Sequence, residues 1–326
     1  MAIIRIQNVE YTILDTKDKL TIADSFVKRS NKIMTGNGEA KFYVGNDGPD
    51  VRDFFGAKGF KLKCLILKKD LLQYLKETEA EYKNPEQPYR NKEKMPSFWT
   101  ERMSIVNNLD DLLWFNIEEQ TQIVGSRIYV KSDETAFDLI RELSLPFITY
   151  ISVMKIVSPN NETFFYFRLF VDYFGESTHP FDVQQEENRI AGEVEIPDEI
   201  KKEIRYARVG QGKYRRGLLE ECPFCPITIV TDDRLLIASH IKPWIDSNEI
   251  EKIDPKNGFM LTPTYDFLFD RGFITFTDDK KIQISPWLSK ITCSRLSISQ
   301  DKKYPMLPVE GRELYLDFHR RNIFKS

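Results

Sequence analysis

A histidine, an asparagine and two aspartates with the types and spacing for phosphate chemistry lie between positions 240 and 270. His240, one of three histidines in the chain, closes an apolar run, Leu235-Leu236-Ile237-Ala238. Asn257 follows a polar excursion and opens a second run, Gly258-Phe259-Met260-Leu261. Asp266 and Asp270 then stand four apart in a short helical pattern. Read as strand, loop, strand and helix, this segment lets a base, an amide and two carboxylates converge. A neutral imidazole can take a proton from water near neutral pH. A hard divalent cation on oxygen ligands neutralises a phosphate and receives the leaving oxygen. Carboxylates at helical i and i+4 share one face and can serve one ion. An asparagine amide can pin a long hairpin. The chemistry these residues suit is metal-assisted phosphodiester hydrolysis.

Taken together, Ala238-Ser239-His240-Ile241-Lys242-Pro243-Trp244, Asn257-Gly258-Phe259-Met260-Leu261 and Asp266-Phe267-Leu268-Phe269-Asp270-Arg271-Gly272 resemble the HNH nucleases with their ββα-metal core. They are most similar to the branch found in bacterial restriction-type endonucleases. The resemblance covers about residues 205–290. It implies His240 as general base, Asn257 as the amide that braces the hairpin, and Asp266 as a metal ligand, with Asp270 one turn on as a second. Mg²⁺ or Mn²⁺ is the implied cofactor and double-stranded DNA the implied partner. One position departs from the pattern. Many HNH enzymes carry a ligating Asp or His just before the base, and here that residue is Ser239.

Upstream, RYARVGQGKYRRGLLEE concentrates Arg205, Arg208, Lys213, Arg215 and Arg216 around two glycines. A similar R-x-G-Q-x-x-F/Y-R segment precedes the core in the resembled branch. The cations are expected on DNA phosphates, with Lys242 and Arg271 flanking the site as further candidates. Cys222-Pro223-Phe224-Cys225 has the spacing of half a zinc knuckle, but four ligands are needed and no second pair follows. Cys293 and His319 would be remote partners, so a structural zinc is not expected.

The remaining elements must position this segment. Strand-like runs are expected at 3–14, 60–68, 127–131, 147–157 and 163–173, and helices at 70–82, 134–143 and 197–208. The polar stretch 83–96, with Pro85, Pro88 and Pro96, reads as a loop. Residues 181–195 lapse into polar composition and read as a linker. The expected fold class is α+β: a mixed α/β targeting or sensor domain over 1–185, and an HNH nuclease domain with a C-terminal extension over 197–326. Phe98-Trp99 and Phe164–Phe167 read as strand core, and His179 as structural.

The chain has 326 residues and a net charge of −3, which is not by itself a nucleic-acid-binding balance. Residues 201–300 carry a net +3, so the modest basic bias falls on the segment with the chemistry. Four cysteines argue against a disulfide scaffold. The N-terminus lacks a signal-peptide layout and no apolar run is long enough to span a bilayer, so a cytoplasmic protein with no membrane partner is expected. Three functions remain open: a restriction-type endonuclease, an anti-phage effector nuclease released by a ligand at the N-terminal domain, and a DNA-binding protein with an inactive nuclease fold. Because one ββα-metal site cuts one strand, a double-strand break calls for a homodimer or two sequential nicks.

Overall fold

The computed structural model describes residues 2–120, 125–173 and 175–326. It is a mixed α/β chain in two compact units, Met1–His179 and Pro180–Ser326.

In the first unit the described strands are β1 (Ile3–Ile6), β2 (Val9–Thr21), β3 (Phe42–Asn46), β4 (Lys61–Leu67), β5 (Leu112–Gln120), β6 (Arg127–Lys131), β7 (Thr149–Val157) and β8 (Thr163–Val171). Its helices are α1 (Pro49–Phe55), α2 (Lys68–Glu77), α3 (Glu79–Lys83), α4 (Met95–Asn107) and α5 (Thr135–Leu143). The strands form one sheet in the order β1-β2-β7-β8-β4-β5-β6-β3, antiparallel except where β4 runs parallel to β8. Strand β7 sits inside the sheet and is almost wholly buried, which its mostly apolar sequence, interrupted by Ser152 and Lys155, allows. Helices α2, α4 and α5 contribute Leu71, Tyr74, Leu75, Met95, Val106, Phe137 and Ile140 to the core on the sheet.

Two sequence expectations change here. Pro96 does not punctuate a loop: it stands at the start of α4, where a proline costs no hydrogen bond and its fixed φ suits the first turn. Phe98 and Trp99 therefore lie on a helix rather than in a strand, partly buried against the core. Phe164–Phe167 are buried in β8 as expected. His179 is buried, with Nε2 2.8 Å from the buried Glu81 carboxylate, which gives it a structural partner.

In the second unit the elements are α6 (Pro180–Gly192), α7 (Asp198–Arg208), α8 (Gly212–Glu221), β9 (Ile237–His240), β10 (Gly258–Leu261), α9 (Pro263–Asp270), β11 (Ile274–Phe276), β12 (Ile282–Ile284), α10 (Lys290–Arg295) and α11 (Glu313–Asn322). The expected linker at 181–195 is corrected: most of it is α6. Pro180 opens that helix, and Ile190 is buried in a cluster with Ile204 of α7 and Trp244, with Val183 packed alongside. Val183 and Ile190 stand seven apart, two turns on one face, enough to dock a helix whose other positions are polar. Among the described residues no helix is long and apolar enough to cross a membrane.

Candidate active site

The site is a ββα arrangement made by β9, β10 and α9. The two strands pair antiparallel, with Gly258 opposite His240, Phe259 opposite Ser239 and Met260 opposite Ala238. Helix α9 follows β10 at once, starting from Thr262 with Pro263 at its first position. The connection between the strands, residues 241–256, is long and polar, and must be held by side chains.

Asn257 holds much of it. The residue is fully buried. Its Oδ1 accepts from the Lys242 amide at 2.8 Å. Its Nδ2 donates toward the Lys242 carbonyl at 3.2 Å, Ser247 Oγ at 3.2 Å and the Glu251 carbonyl at 3.1 Å. One amide thus ties the start, middle and end of the connection together. Ser247 Oγ in turn donates to the carbonyls of Lys242 and Pro243.

His240 is half-buried at the end of β9. Its Nε2 lies 3.0 Å from the Lys252 carbonyl. A carbonyl can only accept, so Nε2 carries the proton and Nδ1 the lone pair. Burial pushes the imidazole pKa down to about 4, against the pull of the Lys252 carbonyl and helped by the cations of Arg208 and Lys252. At neutral pH the ring is therefore a neutral base. Tyr214 lies face to face on it, with ring centroids 4.4 Å apart and planes 10° apart. The Tyr214 hydroxyl, buried and with its pKa raised well above the ordinary value chiefly by that burial, donates to the Asn257 and Ser239 carbonyls at 3.1 and 3.3 Å.

Gly258 makes this approach possible. A Cβ there would come within 2.1 Å of the Tyr214 hydroxyl and 2.8 Å of the Ser239 carbonyl. Gly272 is equally constrained: its φ is +68°, and a Cβ would meet the Ile323 carbonyl at 2.0 Å. The glycines after Asn257 and Arg271 are steric requirements of the packing.

Asp266 lies in the first turn of α9 and Asp270 at its last residue, both half-buried. The Asp266 charge is among the lesser influences that raise the Tyr214 hydroxyl pKa, after burial. Ser239 is buried. The oxygen chemistry of the two aspartates fits a hard divalent cation, but among the described residues no three His, Cys, Asp or Glu side chains converge on one point.

The cations expected on DNA fall into two groups. Arg215 donates to the Leu236 carbonyl at 2.9 Å and the Asp233 carbonyl at 2.5 Å, holding the entry to β9. Arg271 is buried, with its guanidinium 4.8 Å from the Phe267 ring centroid. Arg208 stands 5.6 Å over the Trp244 ring, and Lys242 pairs with Glu251 at 2.6 Å. Lys213 and Arg216 face solvent, Lys213 with Glu203 at 4.0 Å. Cys222 and Cys225 are buried free thiols, the Cys222 thiol donating to the Phe224 carbonyl and the Thr262 hydroxyl to Cys225 Sγ. His319, considered above as a remote zinc partner, is buried against Phe269, with Nε2 2.9 Å from the Phe269 carbonyl and Nδ1 2.9 Å from Thr275 Oγ1.

Three contributors escape a reading of the sequence. Tyr214 left a signal, as the aromatic of the R-x-G-Q-x-x-Y-R segment. Lys252, between Glu251 and Ile253, is fully buried. Arg312, also fully buried, donates to the Gly258 carbonyl at 2.9 Å and to both Glu221 oxygens at 2.9 Å, joining the C-terminal region to β10 and α8. Arg312 and Lys256 hold the Glu221 carboxyl down to about 2 despite partial burial.

No curated protein matches this chain at a significant level. Residues 222–277, which span the hairpin, α9 and β11, match the family model of the HNH endonucleases, and enzymes of that family generally use divalent metals. The second unit therefore carries an HNH endonuclease segment, which implies a nuclease.

Proposed function

We propose that this chain is a metal-dependent DNA endonuclease of restriction type. The observation that carries the reading is the orientation of His240 within a segment of the HNH family: Nε2–H on the Lys252 carbonyl, Nδ1 left basic. In the reaction, a water oxygen attacks phosphorus while Nδ1 takes the water's proton, and the bond from phosphorus to the leaving oxygen breaks. The imidazolium so formed keeps its Nε2–H on the same carbonyl, so the ring need not turn. Asn257 keeps the connection in the shape that presents this carbonyl. Asp266, with Asp270, would hold Mg²⁺ or Mn²⁺ together with water and phosphate oxygens. A bound cation would supply charge for the phosphorane and the leaving oxygen. Lys213 and Arg216 are exposed for the sequence-independent grip on phosphates. Target choice is assigned to the N-terminal unit, Met1–His179, and double-strand cutting to a homodimer or two nicks.

Incubation of the purified chain with plasmid and Mg²⁺ tests this. Discrete fragments from the wild type, and a rate about 10²–10⁴ lower for His240→Ala with DNA affinity within a few fold, are expected. A smear that needs an added nucleotide or protein would favour the effector reading. Binding without cutting would leave an inactive fold.

A further inference from the structure

The Lys252 side chain is fully enclosed, although it belongs to the connection between the site strands. Its ammonium donates to Glu186 Oε1 at 2.7 Å and to the Ser247 carbonyl at 2.6 Å, and stands 4.9 Å over the Trp244 ring. Its backbone amide donates to the Asn248 carbonyl at 3.0 Å. Its own carbonyl accepts from His240 Nε2. One residue is therefore gripped by its side chain and grips the imidazole by its backbone.

Glu186 closes the arrangement from α6. It pairs with Arg189 at 2.8 Å as well as with Lys252, and these two cations hold its carboxyl down to about 2, Arg189 first. Arg189 also reaches Glu249 at 2.5 Å, on the loop that carries Lys252. A buried ammonium with no counter-charge is costly, and removing one partner of a buried pair leaves the other stranded. Glu186 is the carboxylate paired with the buried Lys252 ammonium, so its loss leaves that charge without its counter-ion.

We propose that Glu186 and Lys252 are positioning residues for the base: their ion pair fixes the Lys252 carbonyl, and through it the His240 tautomer with its lone pair on Nδ1. The proposal rests on the reading of His240 as general base, and deepens it. It gives α6, outside the segment matched to the family, a part in the chemistry. Pairing to a carboxylate on another helix selects one loop conformation, which a hydrophobic side chain at 252 would not do.

The test uses the full chain with Glu186→Gln and Glu186→Ala, and two readouts. The first is the ¹⁵N spectrum of the histidine side chains, with His240 assigned by its loss in His240→Gln. The second is cleavage of plasmid with Mg²⁺, separated into turnover and DNA affinity. Wild type should show the Nε2–H tautomer. Glu186→Ala should show a mixture of tautomers and a turnover lower by about 10–100-fold, as expected for a displaced reacting group, with DNA affinity within threefold. Glu186→Gln, which still accepts from the ammonium, should recover most of both. A pure Nε2–H tautomer with unchanged turnover in folded Glu186→Ala protein would overturn the proposal, even if thermal stability fell, and so would a Glu186→Gln protein no closer to wild type than Glu186→Ala. Should the wild type cut no DNA, the nuclease reading fails, while the tautomer shift still decides whether Glu186 positions the ring.

Discussion

Replacing Asn257 by alanine should unlatch the connection between the site strands. The substitution leaves the Lys242 amide without its acceptor, and takes a donor from the Lys242 and Glu251 carbonyls and from Ser247 Oγ. Each buried polar group so stranded costs about 1–3 kcal/mol. Two N–H bonds cannot serve three acceptors fully, and water can reach some of them once the loop loosens, so the sum is about 3–4 kcal/mol rather than four full penalties. That is a large part of the roughly 5–15 kcal/mol that holds a domain folded. Asn257→Asp keeps an acceptor for the Lys242 amide but sets a carboxylate against two carbonyls, and should cost at least as much. The local readout is native-state hydrogen exchange of the amides in β9 and β10. A loss of about 3 kcal/mol should speed it by roughly 10²-fold. Exchange within about fivefold of wild type, in either variant, would refute the claim that this amide holds the loop.

The other predictions concern charge. Asp266→Ala should raise the Mg²⁺ concentration for half-maximal cutting by more than Asp270→Ala, and an unchanged value in both would remove the two carboxylates from ion binding. Arg216→Ala should weaken binding to every duplex and lower the salt slope by roughly 0.9, whereas Arg215→Ala should cost about 1–3 kcal/mol of stability and leave that slope alone. A salt slope lowered by Arg215→Ala and not by Arg216→Ala would reverse the assignment. Acid should destabilise the second unit through His319, whose pKa burial lowers to about 4. A histidine with a depressed folded pKa is neutral when folded, so its contribution is present above the unfolded value of about 6.5 and is lost as pH falls toward 4. The loss is roughly 2–3 kcal/mol. The drop in urea midpoint from pH 7 to pH 4.5 should shrink in His319→Gln without vanishing, because His240 is depressed in the same way, and an equal drop in variant and wild type would count against it.

How much was legible in the sequence depended on whether chemistry or packing chose the residue. The ββα segment around His240, Asn257 and Asp266 could be read because the HNH pattern constrains residue types and spacing together. The N-terminal strands with strong alternation, such as Arg127–Lys131, and the amphipathic helix Thr135–Leu143 followed from periodicity. Helix α6 did not, because two apolar contacts among polar residues look like a linker until Ile204 and Trp244 are beside them. Lys252 and Arg312 resisted for a related reason. A buried cation is specified by partners sixty or ninety positions away, Glu186 in one case and Glu221 in the other, and local composition carries no trace of them. Arg215 shows the converse: it sits in a basic run, yet its guanidinium serves two backbone carbonyls.

The frame around His240 also bears on modularity. Three of the supports described above lie outside residues 222–277: Glu186 beneath the loop, Tyr214 against the imidazole and Arg312 on the Gly258 carbonyl. A graft of the matched segment into another protein would carry the reacting groups without their scaffold. The supports of the site thus run from α6 to Arg312, well beyond the segment they hold in place.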